Sequence, residues 1–378
     1  MHAGAGGCLT VDLNAVRANY EALARRVQPA GTAAVVKADA YGLGAARIGP
    51  AIAQAGCRQF FVASLAEAVS LRPQLPGDAT IYVLNGLQPG SERLCIQTGT
   101  VPVLNSLEQV RCWVASAAVT GRALPAALQI DSGMSRLGLD QEEIDILRQD
   151  PAWLDRVPLT LIMSHLACSD QPEHAANDLQ LSRFTKLASR LPAAPLSLGN
   201  SGSAFLPPRF HLDLVRLGVS LYGVGAQAGS PNPMHPVVRL EGRVIQVRTI
   251  PAGTGVGYGL SFRADRAARI ATVGLGYADG WPRHLSNRGA AFVDGVRLPI
   301  AGRVSMDSMA IDATALPEGR LRLGEYVELI GPSQSLEDVA SDAGTIPYEI
   351  LTSLGRRYAR TYLDSHIMKS PESSGCSR

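Results

Sequence analysis

What this chain has little of narrows its business first. Aromatic residues make up 5% of its 378 positions, too few for a surface on which nucleobases stack. Neither sign of charge dominates: 35 Lys and Arg against 33 Asp and Glu leave a net +2, with the signs interspersed. That excludes the electrostatic footprint of a nucleic-acid or anionic-membrane binder. No apolar run approaches the roughly 20 residues a membrane span requires. The opening stretch "MHAGAGGCLTVDLNAVRANYEALARRV" lacks a basic region followed by an apolar one and turns directly into an amphipathic helix, so no signal peptide is expected. Six cysteines (Cys8, Cys57, Cys95, Cys112, Cys168, Cys376) are scattered without a CxxC pair or a Cys/His metal spacing. That is the pattern of reduced thiols in a cytoplasmic protein, not of a disulfide framework or a metal site. The expected partner is a small molecule.

What is there is apolar content for a sizeable core, 46% of the chain, over two or three domains at about 150 residues each. Eight short apolar runs punctuate the first 225 or so residues: "AAVVK" (33–37), "FFVAS" (60–64), "TIYVLN" (80–85), "VPVLN" (101–105), "AALQID" (126–131), "LTLIMSH" (159–165), "PLSLGNS" (195–201) and "LDLVRLG" (212–218). Helical spacing fills the gaps, as in "SLEQVRCWVASAA" and "DQEEIDILRQ". Near-continuous apolar runs suit strands buried on both faces. Eight such units predict an α/β fold whose first domain, residues 1–233, is a closed (β/α)8 TIM barrel. A doubly wound open sheet is the alternative, weakened by the lack of a GxGxxG after the first strand. After a Pro/Gly-rich link, "GSPNPMHP", residues 234–365 read as a mostly-β domain, and 366–378 as a frayed tail.

The strand ends carry the chemistry. Lys37, Ser64, Asn85, Asn105, Asp131, His165, Asn200 with Ser201, and Arg216 close the eight runs, and active sites of such barrels sit at that end. A lysine there is either a Schiff-base amine, its proton loosened by desolvation, or a fixed cation for an anion. The glycines after Lys37 and the turn "GNSGSA" (199–204) after the seventh run suit a phosphate, which barrels often hold beyond strands seven and eight. Together they suggest pyridoxal phosphate, with a cofactor-free Schiff-base aldolase still open.

Motif order then adds a resemblance. "VVKADAYGLG", "IDSGMSRLG" (130–138), "SHLACSD", "GNSGS", "VRLGVSLYG" (215–223), "GVGYGLSF", "GLGYADGWPR" and "GRVSMDSM" resemble, in order and nearly end to end, the motifs of the alanine racemase family. The resemblance implies a pyridoxal-phosphate enzyme that interconverts L- and D-alanine with two bases. Lys37 would hold the cofactor covalently and, once freed by the substrate amine, serve as one base. Tyr258, supplied by a partner chain of an obligate homodimer, would be the other. Tyr41, Ser201 and the backbone of Gly218 and Val219 would hold the phosphate. Arg136 would meet the cofactor's phenolic oxygen, Arg216 the pyridine nitrogen, and His165 would bridge Arg216 toward Tyr258. Tyr277 and Met306 would line the substrate's path, the Met306 N–H meeting its carboxylate. Two opposed bases are what moving a proton from one face of a carbon to the other requires. Taken singly, Tyr258 fits a hairpin aromatic, His165 a satisfied core histidine and Met306 core packing; the order of the motifs decides.

Four positions depart from the family's pattern. Gln129 stands where many members carry a carbamylated lysine, so Arg136 would need another anion, such as chloride, or the Gln129 amide oxygen. Gly257 precedes the tyrosine in place of serine and is expected mainly to loosen the backbone. Ser305 replaces a cysteine, and Arg356 stands where a gate tyrosine is usual. A decarboxylase of the same architecture would place an acid, not Arg216, against the pyridine nitrogen. A non-catalytic cofactor carrier would leave the second domain without purpose. A racemase of serine or another small amino acid remains open, as does supply of D-alanine to peptidoglycan against its breakdown.

Overall fold

A computed structural model describes residues 4–150, 153–227 and 229–365; the expected tail, 366–378, lies outside the described residues. The chain divides into two compact units. One is Val16–His235; the other combines the residues before it with those after it. The first strand, β1 (Gly7–Asp12), belongs to that second unit, not to the barrel as the reading of residues 1–233 has it. Its buried positions alternate at Gly7, Leu9 and Val11, the period of a sheet with one buried face. Its partners lie more than 200 residues away, beyond the reach of local pattern.

The first unit is a (β/α)8 barrel. Its strands are β2 (Gly31–Val35), β3 (Gln59–Val62), β4 (Thr80–Val83), β5 (Val101–Leu104), β6 (Ala126–Gln129), β7 (Leu159–Met163), β8 (Leu196–Ser197) and β9 (Leu214–Leu217), one overlapping each apolar run. From β2 to β8 each strand pairs in parallel with the next in the chain, and β2 also pairs β9. The circle closes where the Asp213 N–H donates to Leu196 O and the Arg216 N–H to Gly199 O, both at 3.0 Å. Every residue of β5, β6 and β9 is buried, which is why these runs do not alternate. Helices start where the sequence supplies a cap. Ser64 and Asp140 each form a capping box, with Glu67 and Glu143, and the Ser106 hydroxyl accepts from the Gln109 N–H. Trp113, Phe184 and Phe210, each at most 2% exposed, pack between strands and helices. The "GSPNPMHP" link is anchored rather than loose: buried Asn19 donates to His235 O (2.9 Å) and accepts the His235 N–H (2.8 Å).

The second unit is built on β10 (Val238–Ile250), which pairs antiparallel with β1, β13 (Ala268–Val273) and β17 (Tyr326–Ile330). The hairpin β14 (Ala290–Val293) and β15 (Val296–Pro299) extends one side, β18 (Ala359–Leu363) lies parallel on β1, and β16 (Met309–Asp312) flanks β13. A small hairpin, β11 (Gly255–Val256) and β12 (Phe262–Arg263), carries the Tyr258 turn. Helix Leu336–Ala343, capped by a Ser335/Asp338 box, precedes a second short helix, Pro347–Ser353. No helix of the described residues is long and apolar enough to cross a membrane.

Candidate active site

Lys37 stands at the mouth of the barrel, two residues past β2. The four residues after it, Ala38 to Tyr41, run through the left-handed region at φ between +53° and +55°, at a cost of roughly 1–2 kcal/mol per non-glycine residue. Such strain persists only where surroundings over-determine it. Here the Gly42 N–H bonds to Ala38 O (2.7 Å), the Ala45 N–H to Asp39 Oδ1 (2.7 Å) and the Ala38 N–H to Glu67 Oε1 (2.6 Å). Burial holds the Lys37 ammonium below its ordinary pKa; the positive charge of Arg136 adds to this, Glu67 opposes it, and Arg216 contributes least. The lysine is thus biased toward the neutral, nucleophilic amine.

Arg216, on β9, is 3% exposed. Its Nη1 donates to Ser197 O (2.9 Å) and Ser197 Oγ (2.5 Å); its Nη2 donates to Ser164 O (2.6 Å) and reaches His165 Nδ1 (3.2 Å). A guanidinium has donors only, so His165 Nδ1 is an acceptor and the imidazole proton sits on Nε2. Burial first, then the charges of Arg216, Arg136 and Lys37, push the His165 pKa down to about 3, which keeps the ring neutral. Burial lowers Arg216 to about 9, still cationic at neutral pH. Four of its five N–H groups are engaged; the Nε–H is the one left without a partner among the described residues. A base of a bound ring has one donor to meet. Behind this pair, buried Gln180 donates to Ser132 Oγ (3.3 Å) and His165 O (2.9 Å), and Ser132 Oγ meets Ser164 Oγ (2.8 Å).

The expected phosphate residues also converge. Ser201 Oγ accepts from the Gly218 N–H (2.8 Å) and the Ser220 N–H (3.4 Å). A Cβ at Gly218 would lie 2.7 Å from Tyr41 Oη, so only glycine lets the backbone come this close to the tyrosine. Val219 opens the next turn. The Tyr41 ring packs on Tyr222 at 4.7 Å, and Tyr222 Oη donates to Val35 O (2.7 Å). Ser220 Oγ is buried with no hydrogen-bond partner among the described residues. An orphaned hydroxyl beside two backbone N–H groups fits an anion with several oxygens, as a phosphate has.

Arg136 is exposed in the loop after β6. Asp131 Oδ1 organises that loop by accepting from the N–H groups of Gly133, Met134 and Ser135 at 2.8–3.1 Å. Gln129 spends its amide N–H on Leu137 O (3.3 Å); no hydrogen bond joins it to Arg136 among the described residues.

The remaining expected residues lie in the β unit. Tyr258 is 71% exposed and follows Gly257, which takes φ +70°, ψ −170°, a region that residues with a Cβ avoid. The glycine therefore sets a definite turn rather than merely loosening it. Tyr277 and Met306 sit on adjoining loops: the Tyr277 N–H donates to Ser305 O (3.0 Å) and the Ala278 N–H to Met306 O (2.9 Å). Arg357 ties these loops together, with Nε 2.9 Å from buried Asp279 Oδ1 and Nη1 2.6 Å from Asp307 Oδ1. Asp279 in turn accepts the Gly276 N–H (2.9 Å). Glu67, Gln180, Ser220 and Arg357 escape sequence reasoning; only Glu67 leaves a signal, as the fourth position of the capping box "SLAE".

The fold defines the class of protein: a (β/α)8 barrel with a lysine at its mouth, followed by a β-rich unit. The chain belongs to the alanine racemase family. The family described as "Alanine racemase, N-terminal domain" matches residues 11–226, and "Alanine racemase, C-terminal domain" matches residues 237–362. A protein named "Alanine racemase, catabolic" from Agrobacterium fabrum is 56% identical over 360 residues, 95% of this chain and 93% of that protein. An alanine racemase of Brucella canis is 55% identical over 372 residues, again covering 95% of this chain and 94% of its own. The crystal structure of Bartonella henselae alanine racemase "with covalently bound pyridoxal phosphate" superposes with a TM-score of 0.92 at 45% identity, over 95% of this chain and 100% of that one.

Proposed function

We propose that this chain is a pyridoxal-phosphate-dependent racemase of alanine that uses Lys37 and Tyr258 as bases on opposite faces of the substrate Cα. The observation that carries the reading is the Arg216 arrangement, in which four donors are fixed by protein and one is held open beside a neutral His165. The cofactor, when bound, supplies an aldehyde that links to amines and a ring that acidifies the Cα–H of the linked amino acid. Tyr41, Ser201, Gly218 and Val219 hold its phosphate, with Ser220 Oγ as a further partner. Arg216 presents a permanent cation to the ring nitrogen and keeps it unprotonated. That makes the ring a weaker electron sink and limits side reactions. Arg136 meets the phenolic oxygen, Lys37 takes or returns the proton on one face, and the Met306 N–H, which no described group accepts, meets the substrate carboxylate beside Tyr277.

Tyr258 acts from a second copy of the chain, so the working enzyme is a homodimer in the cytoplasm. Mixing Lys37→Ala with Tyr258→Phe tests this. Both variants are inactive alone, and random re-pairing at a C2 interface restores about one quarter of the activity; no recovery places both bases on one chain. Polarimetry tests the reaction itself: L-alanine with holoenzyme decays to zero rotation, whereas a steady signal with alanine and decay with serine would move the substrate.

A racemase has no preferred direction, since its substrate and product are mirror images. We infer supply of D-alanine to peptidoglycan, so a deletion strain should need D-alanine to grow. The name of the Agrobacterium relative favours the opposite use; a strain that instead loses only growth on D-alanine would establish it.

A further inference from the structure

Glu67 does more than a helix cap requires. A capping box needs the Ser64 N–H on its carboxylate and the Ser64 Oγ on the Glu67 N–H; these contacts are present at 3.2 and 3.4 Å. The same carboxylate accepts two further donors at shorter range, the Ala63 N–H at 2.7 Å on Oε2 and the Ala38 N–H at 2.6 Å on Oε1. Ala38 lies 29 residues away in sequence, next to Lys37 and first in the left-handed turn. Glu67 therefore bridges the end of β3 to the strained turn after the end of β2, with both oxygens used.

We propose that Glu67 is a positioning residue for Lys37: its carboxylate pins the left-handed turn that aims the lysine, and its negative charge balances the arginines around it. The inference rests on the reading of Lys37 as the cofactor lysine and base. The charges acting on Lys37 are Arg136 from the loop after β6, Glu67 from the helix after β3 and Arg216 from β9. Two of the three are positive. Removing the carboxylate leaves the lysine facing like charges alone, and its ammonium loses its proton more readily.

Three full-length holoenzymes separate the roles. Glu67→Gln keeps the size but removes the charge, and its NH2 cannot accept an N–H. Glu67→Asp keeps the charge but loses the reach to Ala38. Ser64→Ala weakens the cap and leaves the carboxylate in place. The readouts are the pH dependence of kcat, where the freed lysine titrates, the split between kcat and KM, and the visible absorbance of the lysine-bound cofactor against pH. For Glu67→Gln the acid limb moves about one unit to lower pH, with a shifted cofactor titration and a kcat at least about tenfold lower at unchanged KM. Glu67→Asp lowers kcat without moving the limb, and Ser64→Ala moves neither. Equal behaviour of Glu67→Gln and Ser64→Ala would overturn the proposal and leave Glu67 as a cap. A wild-type enzyme that racemises nothing would sink the activity reading instead, while the cofactor absorbance still reports on Glu67. If Glu67→Gln fails to fold, Glu67→Asp against Ser64→Ala decides: equal kcat in the two overturns the positioning role.

Discussion

Replacing Arg216 with methionine, a side chain of similar length and no charge, separates what the guanidinium holds from what it merely fills. Two of its acceptors keep other partners: Ser197 O still receives the Ser164 N–H (2.9 Å), and Ser197 Oγ still donates to Leu214 O (2.7 Å). Ser164 O loses its donor, and a buried unpaired carbonyl costs about 1–3 kcal/mol. Relief of the buried charge offsets the loss of the remaining bonds. The net loss of about 1–3 kcal/mol lowers Tm by roughly 2–12 °C for a unit of this size. The effect on His165 is sharper. Arg216 is the second cause of its depressed pKa, after burial, so in Arg216→Met the imidazole titrates above about 3 yet stays below its ordinary 6.5. Arg216→Lys keeps the charge and leaves His165 low. Histidine NMR titrations, with His165→Gln to assign the signal, and thermal melts by circular dichroism measure both. A His165 that titrates identically in wild type and Arg216→Met, or that rises as far in Arg216→Lys, would refute the reasoning.

Further expectations follow from other contacts. His165 binds its proton less tightly folded (about 3) than unfolded (6.5), so the unfolded state takes up more protons in that window. Its contribution to stability is therefore complete above pH 6.5 and is lost as pH falls toward 3, about 2 kcal/mol of it by pH 5. Urea unfolding at the two pH values shows this slope in wild type and a shallower one in His165→Gln. In Gly218→Ala the new methyl displaces Tyr41 Oη, 2.7 Å away, and spectral titration finds cofactor affinity down about 10- to 100-fold, the loss of one charge-assisted hydrogen bond. Arg357→Ala frees the loops of Tyr277 and Met306 from their shared tie to Asp279 and Asp307. Steady-state kinetics then show KM for alanine up about tenfold with kcat little changed, and Arg357→Lys recovers part of it.

Much of this was legible in the chain because its physics is local. The barrel strands are short, mostly buried apolar runs, and Lys37, His165 and Arg216 are readable from their place at the ends of such runs. What was not legible depends on partners remote in sequence. The strand Gly7–Asp12 gains its meaning from β10 and β18, and six residues of weak alternation carry no such signal. Glu67 reads as an ordinary cap until Ala38 is seen on its other oxygen. The left-handed course of Ala38 to Tyr41 contradicts the propensity of alanine, and only tertiary contacts enforce it. Arg357 joins two aspartates 28 residues apart, neither of which asks for an arginine in sequence.

The central claim is that two bases work on opposite faces of one carbon, and isotope exchange tests it most directly. Each enantiomer of alanine is incubated with holoenzyme in D2O, and Cα deuterium and optical rotation are followed together. The account predicts that wild type brings both enantiomers to zero rotation with deuterium at Cα, and that Tyr258→Phe exchanges one enantiomer with retention and racemises neither. Exchange with retention in the wild type, or undiminished racemisation by Tyr258→Phe, would contradict it.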